Sequence, residues 1–120
     1  QKIEATFEEH EWNPEVITKT ELEIKLEEAL NKEDYRACVR IYFTFILKEL
    51  IRSRLIQWKK EKTNFEYQLE MNGKENAYLF NESVRIYDLI WYGEYELSQD
   101  EFKQIEPVLK HTHQQFEKSA

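Results

Sequence analysis

The sequence predicts an all-α domain, a compact bundle of about five helices built on an antiparallel helix hairpin. Only two Gly and two Pro occur in 120 residues, which leaves little material for the tight turns of a many-stranded β fold. Three Ser/Thr-x-x-Glu capping boxes mark helix starts along the chain. A hydrophobic content of 41%, with 14% aromatic residues, indicates a folded core rather than disorder.

The first 19 residues show no clean hydrophobic period, and the turn signal Asn13-Pro14 lies among them. We interpret 1–19 as a linker or arm and 20–117 as the helical domain. Trp12 in the arm either docks in a groove of the domain or anchors at a lipid interface. Because Gln1 is not a natural start, we expect the chain to be a piece of a longer protein.

The first helix is predicted to open at a capping box formed by Thr20 and Glu23. Its apolar residues recur at helical spacing and form one face: Leu22, Leu26, Ala29 and Leu30. The turn 31–34 follows, and Asp34 is placed to cap the next helix. Two helices joined by so short a turn lie side by side and antiparallel, so this pair forms the predicted hairpin.

The second helix, 34–54, is predicted to be the central helix of the bundle. Five of its polar positions are spaced by four and form one narrow seam, which we call the basic ridge: Arg36, Arg40, Thr44, Lys48 and Arg52. Nearly every other residue up to Ile51 is apolar or small, and a helix apolar on most sides is buried on most sides. Cys38, the one cysteine, lies on the apolar face, where a thiol is usually an unreactive core residue.

Two further helices are predicted after a short solvated loop. Thr63 and Glu66 form the second capping box, and the helix that they open ends near Asn72-Gly73. The fourth helix is predicted over about 75–92, where apolar and aromatic residues follow spacings of three and four. Gly93 then suits its C-terminal cap.

The last helix is predicted to open at the box formed by Ser98 and Glu101. Its inner face carries apolar side chains at helical spacing: Phe102, Ile105, Leu109 and Phe116. Pro107 lies too deep in this helix to be an N-terminal proline, so we expect a kink or a break there.

The net charge of −7 is unevenly distributed along the chain. Residues 1–34 hold four Lys against eleven acids, a balance of −7, whereas 35–120 hold thirteen basic and thirteen acidic residues. The simplest interpretation is that the acidic segment and the basic helix that follows it neutralise each other, or are at least attracted. The alternative is a basic surface for lipid headgroups, because 35–62 contain eight basic residues against two acids. A chain this acidic is repelled by nucleic acid, so we expect no nucleic-acid partner.

Patterns typical of active sites and metal sites are missing from the sequence. No Ser lies in a strand–turn–helix elbow, and two Gly cannot build a phosphate-binding loop. His111 and His113 are two residues apart, which on a helix points them about 200° apart, so they cannot share a metal. We therefore expect a non-enzymatic domain with no catalytic residue, no cofactor and no metal.

The aromatic residues of the second half of the chain have two interpretations. In one, they fill the core against the central helix, as we expect for Tyr87 and Trp91. In the other, they line a groove that binds a peptide, because aromatic residues and Arg are enriched at the centres of protein interfaces. The candidate partner-binding residues are aromatic residues of the groove walls, polar side chains that could bind a peptide, and residues of the basic ridge: Arg36, Arg40, Lys48, Trp58, Asn64, Tyr67 and Tyr92.

Four blocks of the chain stand out as a set: Asp34-Tyr35-Arg36-Ala37-Cys38-Val39-Arg40, Leu55-Ile56-Gln57-Trp58, Lys62-Thr63-Asn64-Phe65-Glu66-Tyr67, and Val84 through Trp91-Tyr92-Gly93-Glu94. In order and spacing, from about Thr20 to Phe116, they resemble the helical domain at the C-terminal end of bacterial transglutaminase-like membrane proteins. The same domain also occurs in shorter membrane proteins that lack the transglutaminase part. The chain departs from the family's leucine-rich central helix at three aromatic positions: Tyr42, Phe43 and Phe45.

The resemblance implies a domain on the cytoplasmic side of the bacterial inner membrane, tethered through a membrane segment outside this chain. It also implies a protein partner, a MoxR-type ATPase or a von Willebrand A-like protein, because family members are often encoded beside these. The transglutaminase cysteine, histidine and aspartate of the longer relatives lie in a separate domain. We therefore predict a non-enzymatic protein-interaction module serving a MoxR-linked assembly system. The alternative is a regulatory domain of a transglutaminase-like membrane enzyme.

Overall fold

The computed structural model describes residues 12–119 and confirms the all-α class, with five α-helices and no strand in that range. In chain order the helices are α1 (Lys19–Asn31), α2 (Tyr35–Arg52), α3 (Asn64–Met71), α4 (Ala77–Tyr87) and α5 (Gln99–Glu117). A π-helical turn, Asp88–Tyr92, continues α4. Most of the predicted arm, 1–11, lies outside the described residues. Within 12–119 no helix is both long enough and apolar enough to cross a membrane.

The central position of α2 is confirmed. Ten of its 18 residues are buried, and α1, α4, the π turn and α5 all pack against it. Stacked aromatic rings join it to two neighbours: Phe43 lies 4.4 Å from Tyr87 of α4, and Tyr35 lies 4.6 Å from Phe102 of α5 (centroid to centroid). The antiparallel hairpin of α1 and α2 is present, and Asp34 caps α2 by accepting the backbone N–H of Ala37 at 3.1 Å.

The start of α1 corrects the first capping box, which is formed by Thr18 and Glu21 and not by Thr20 and Glu23. The Thr18 hydroxyl accepts the Glu21 N–H at 3.0 Å, and the Glu21 carboxylate reaches back to the Thr18 N–H. This register places Ile17 and Leu22 at the two positions of a hydrophobic staple, and both are buried in the core. The packed unit therefore includes residues that precede the predicted boundary at Thr20.

The other two capping boxes, at Thr63–Glu66 and Ser98–Glu101, are confirmed. The predicted fourth helix, in contrast, is not one regular α-helix. It begins at Ala77, after Asn76 in the left-handed region, and widens into the π turn, where the Gly93 N–H donates to the Asp88 carbonyl at 3.0 Å. The wider turn buries Ile90 and leaves Tyr92 70% exposed, an arrangement that a uniform helical period does not predict.

Of the kink or break predicted at Pro107, the break does not occur, because α5 continues through this residue. Pro107 and Lys103, whose carbonyl loses its helical partner, both lie on the exposed side of α5, where water can replace the missing donor. The free carbonyl groups at the C-terminal end of α5 receive hydrogen bonds from a side chain of α2. The Arg52 guanidinium donates to the carbonyls of Glu117 at 3.2 Å and Ser119 at 3.0 Å.

Candidate binding cleft

A cleft of about 180 Å³ opens between α2, the loop after it, α3 and the π turn, and we call it the aromatic cleft. Five of the seven predicted partner-binding residues line it together: Arg40, Trp58, Asn64, Tyr67 and Tyr92. The rest of its lining is Trp12, Pro14, Phe43, Thr44, Leu47, Lys60, Lys62 and Tyr87. Residues far apart in the sequence therefore meet at one surface feature.

The walls of the aromatic cleft are held by the core beneath them. Tyr87 stacks on Phe43 of α2, and the Tyr92 ring meets Tyr87 edge-on at 5.8 Å. On the opposite side the Tyr67 hydroxyl accepts the Lys59 N–H at 3.2 Å and donates to the Lys59 carbonyl at 3.1 Å. Burial raises the pKa of Tyr67, so its hydroxyl remains a donor at neutral pH. These contacts fix the loop against α3 and pre-form the cleft.

Arg40 is held at the cleft by aromatic faces. Its guanidinium carbon lies 4.9 Å from the Trp12 ring centroid and 4.5 Å from that of Trp91. Arg36 stacks on Trp91 at 3.9 Å and donates to the Trp91 carbonyl at 2.8 Å. Within 12–119 no carboxylate forms an ion pair with Arg40 or Arg36. The Arg40 charge is therefore positioned without being neutralised by a described acid.

The polar rim of the cleft is basic. Its described lining contains three cations, Arg40, Lys60 and Lys62, and no Asp or Glu, although the chain carries a net charge of −7. Lys62 is already engaged, because it donates to the Glu70 carboxylate at 2.8 Å, whereas Lys60 is exposed and forms no ion pair with any described residue. The Asn64 amide donates to Asp88 at 3.0 Å.

Lys48 lies outside the cleft and holds the N-terminal segment instead. Its ammonium donates to the carbonyls of Pro14 at 3.0 Å and Ile17 at 2.6 Å. Burial lowers the pKa of Lys48 from its ordinary value. Arg36, the other predicted residue that is absent from the cleft lining, borders a neighbouring depression beside Tyr95. The basic ridge is thus divided among several local roles and is not one continuous surface.

Among residues 12–119, the predicted attraction between the acidic segment and the basic helix is seen at Lys48. Burial lowers the pKa of Lys48 overall, and Glu21 of α1 acts in the opposite direction. No ion pair in that range joins a carboxylate of α1 to the ridge, and the ion pair between α1 and α2 has the opposite polarity, from Lys19 to Glu49 at 3.0 Å. Main-chain carbonyls and indole faces take the place of the acids. These groups lie far from the basic ridge in the sequence, so their contacts with its cations cannot be predicted from local spacing.

Trp12, Lys60 and Lys62 also line the cleft, although they are not among the predicted partner-binding residues. For Trp12, docking in a groove was one of two open interpretations, and the structure places its half-buried ring beside Arg40. The sequence predicts a solvated loop for the segment that contains Lys60 and Lys62. Their place in the sequence is the clue to their role, because both lie between Trp58 and Asn64, two of the predicted groove residues.

Comparisons with protein-family models, with curated proteins and with solved structures found no match to this chain. The resemblance to the transglutaminase-associated domain therefore stays a prediction.

Proposed function

We propose that this domain is a non-enzymatic protein-interaction module and that its partner inserts an extended acidic segment into the aromatic cleft. One observation carries the proposal: an acidic protein presents a cleft whose described lining combines aromatic walls with three cations and no carboxylate. Pre-formed aromatic pockets with a charged rim are typical centres of protein interfaces.

The size of the cleft favours a peptide side chain over a cofactor. Small-molecule sites usually enclose about 300–1,000 Å³, whereas the cleft measures about 180 Å³. An apolar or aromatic side chain of the partner would lie between Trp58 and Tyr67. A neighbouring carboxylate would take the Arg40 guanidinium, whose planar donors suit bidentate binding. Lys60 would add attraction at the rim.

The cellular setting follows from the resemblance and is part of the same proposal. The domain would act on the cytoplasmic side of a bacterial membrane, as part of a membrane protein, with a MoxR-type ATPase or a von Willebrand A-like protein as partner. The alternative, regulation of a transglutaminase-like enzyme, would be supported by a Cys/His/Asp domain elsewhere in the same chain. A lipid-binding role has less support, because Lys48, Arg52 and Lys62 are engaged by internal partners.

The test is affinity capture from solubilised bacterial membranes with four versions of the domain as bait: wild type, Arg40→Gln, Lys60→Glu and Lys103→Glu. Lys103 is the matched control, because it is exposed on α5 and lies outside the cleft lining. We expect the same partner on wild type and the control, and at least about ten-fold less on the two cleft variants.

The binding segment of the captured protein would then be titrated as a peptide against the wild-type domain. Trp12 and Trp58 line the cleft, so their intrinsic fluorescence reports occupancy directly. Capture of the same amount of partner by all four baits would show that the cleft is not the binding surface. A partner segment without acidic residues would contradict the proposed chemistry of recognition.

A further inference from the structure

We propose that Glu49, His113 and Glu117 form a Zn²⁺ site that joins the central helix to the end of α5. One ligand atom from each of the three residues lies within 4.8 Å of the others. None of the three lines the aromatic cleft, so the inference is independent of the proposed function.

The centre of the site is Glu49, a carboxylate that is only 1% exposed. Its Oε1 accepts Arg52 Nε at 2.7 Å, and Lys19 Nζ forms an ion pair with Oε2 at 3.0 Å. Burial acts to raise the pKa of Glu49, but Arg52 and Lys19 have the larger, opposite effect and hold that pKa below its ordinary value. The Oε2 atom of this buried carboxylate is thus paired with Lys19 and also faces His113 of α5.

The second ligand, His113, presents a ring nitrogen that faces Glu49. Its Nε2 is buried, makes no hydrogen bond in the described structure and lies 3.5 Å from Glu49 Oε2. The Phe45 ring meets the imidazole edge-on at 5.5 Å and restricts its rotation. Glu117 follows His113 by four residues, so both side chains project from the same face of α5 toward Glu49.

The donor set selects the class of metal. One imidazole nitrogen and two carboxylates are typical ligands of zinc, whereas Mg²⁺ and Ca²⁺ prefer oxygen alone. Metal–ligand distances of about 2.0–2.2 Å separate tetrahedral ligand atoms by roughly 3.4 Å. The Glu117 side chain is exposed, so it can close the remaining gap without moving the core. Water would take the fourth position.

Lys19 is the competitor for the metal, because its ammonium pairs with Oε2, the Glu49 oxygen that faces His113. The Lys19 side chain is 52% exposed and can swing into solvent, whereas Arg52 is tied to Oε1 and to the main chain at the end of α5. The proposal therefore requires that removal of the Lys19 charge strengthens zinc binding. A merely structural Glu49–His113 contact would not have that consequence.

The experiment is a Zn²⁺ titration by calorimetry of the wild-type domain and of His113→Ala, Glu117→Gln, Lys19→Met and His111→Ala. His111 is the matched control, because it is exposed and lies two residues away on the same helix. We expect His113→Ala and Glu117→Gln to weaken binding at least about ten-fold, Lys19→Met to tighten it and the control to match wild type. Tetrahedral Co²⁺ absorption bands in the wild type would identify the geometry.

Circular dichroism of each variant checks that it is folded. Glu117→Gln keeps the test decisive if His113→Ala unfolds, because Glu117 is exposed and contributes no core packing. No zinc binding by the wild type, or equal binding by the two histidine variants, would overturn the proposal. Unchanged or weaker binding by Lys19→Met would overturn it as well.

Discussion

The two glycines of this chain are constrained by different physical causes. Gly73, after α3, has φ of +82° and open space around the position of a Cβ atom. Gly93, after the π turn, has an ordinary negative φ, but an added Cβ would lie 2.4 Å from the Leu89 carbonyl oxygen. Backbone conformation therefore limits Gly73, whereas close packing of the backbone limits Gly93.

Asn substitutions should separate these two causes. Asn tolerates the left-handed region, so Gly73→Asn should cost well under the roughly 1–2 kcal/mol expected for Gly73→Ala. At Gly93 both Ala and Asn should cost about 1–3 kcal/mol, because each carries the Cβ atom that collides with the main chain. Urea denaturation of the four variants measures the free energies of unfolding. A neutral Gly93→Ala would mean that the π turn relaxes freely around the new methyl group.

At the scale of the element, α1 shows how tertiary packing chooses between two equivalent local signals. Thr18-x-x-Glu21 and Thr20-x-x-Glu23 both match a capping box. The first is used because it allows Ile17 to enter the core, where it is 2% exposed. Burial of an apolar side chain of this size stabilises the fold by about 1.5–3 kcal/mol. This is more than the free energy gained or lost when a helix is two residues longer or shorter.

The two threonines therefore should respond differently to truncation. Thr18→Ala should destabilise the domain by about 1 kcal/mol, because it removes the acceptor for the Glu21 N–H. Thr20→Ala changes an exposed position inside the first turn and should stay within about 0.5 kcal/mol of wild type. Thermal or urea unfolding compares them directly. A larger loss in Thr20→Ala would place the helix start at the second box.

Glu70 is one of the side chains that hold the loop between α2 and α3. It accepts Lys62 Nζ at 2.8 Å and the Gln57 N–H at 2.9 Å. Burial acts to raise the pKa of Glu70, but these two donors outweigh it and lower the pKa below its usual value of 4.5. The loop carries Trp58 and Lys60, so Glu70 supports one side of the aromatic cleft.

Stability that depends on Glu70 should vary with pH in a defined direction. Because its pKa is lower in the folded state, the stabilisation is complete above pH 4.5 and is lost as the pH falls through the folded pKa. Glu70→Gln should lower the free energy of unfolding by about 1 kcal/mol at pH 7, and the difference from wild type should shrink toward pH 3. A difference that is independent of pH would contradict the assignment.

At the scale of the whole molecule, α2 is the element against which α1, α4, the π turn and α5 all pack. Cys38 reports on its integrity, because this thiol is 0% exposed. Burial, with the nearby carboxylates of Asp34 and Glu106, raises the pKa of Cys38 to about 12. While the bundle is closed, a thiol reagent cannot reach Cys38, and the thiol does not ionise to the reactive thiolate at neutral pH.

Cys38 should consequently react only when the bundle opens. We expect labelling by a maleimide at neutral pH to be at least about a thousand-fold slower in native buffer than in urea. Glutathione at the same concentration controls for the intrinsic effect of urea on the reagent. Fast labelling of the native protein would show that the face of α2 that carries Cys38 opens locally.

The sequence by itself determined the fold class, the central helix and two of the three capping boxes. These features depend on residues three or four apart, whose spacing is visible in the chain and whose effect on a helix is local. The tertiary structure decided the register of α1, the π turn and the partners of the basic ridge. It also decided the proposed zinc site, because Glu49 and His113 come from different helices, and it brought five of the predicted partner-binding residues together in one cleft. Such pairings depend on how helices pack, and no local period encodes them.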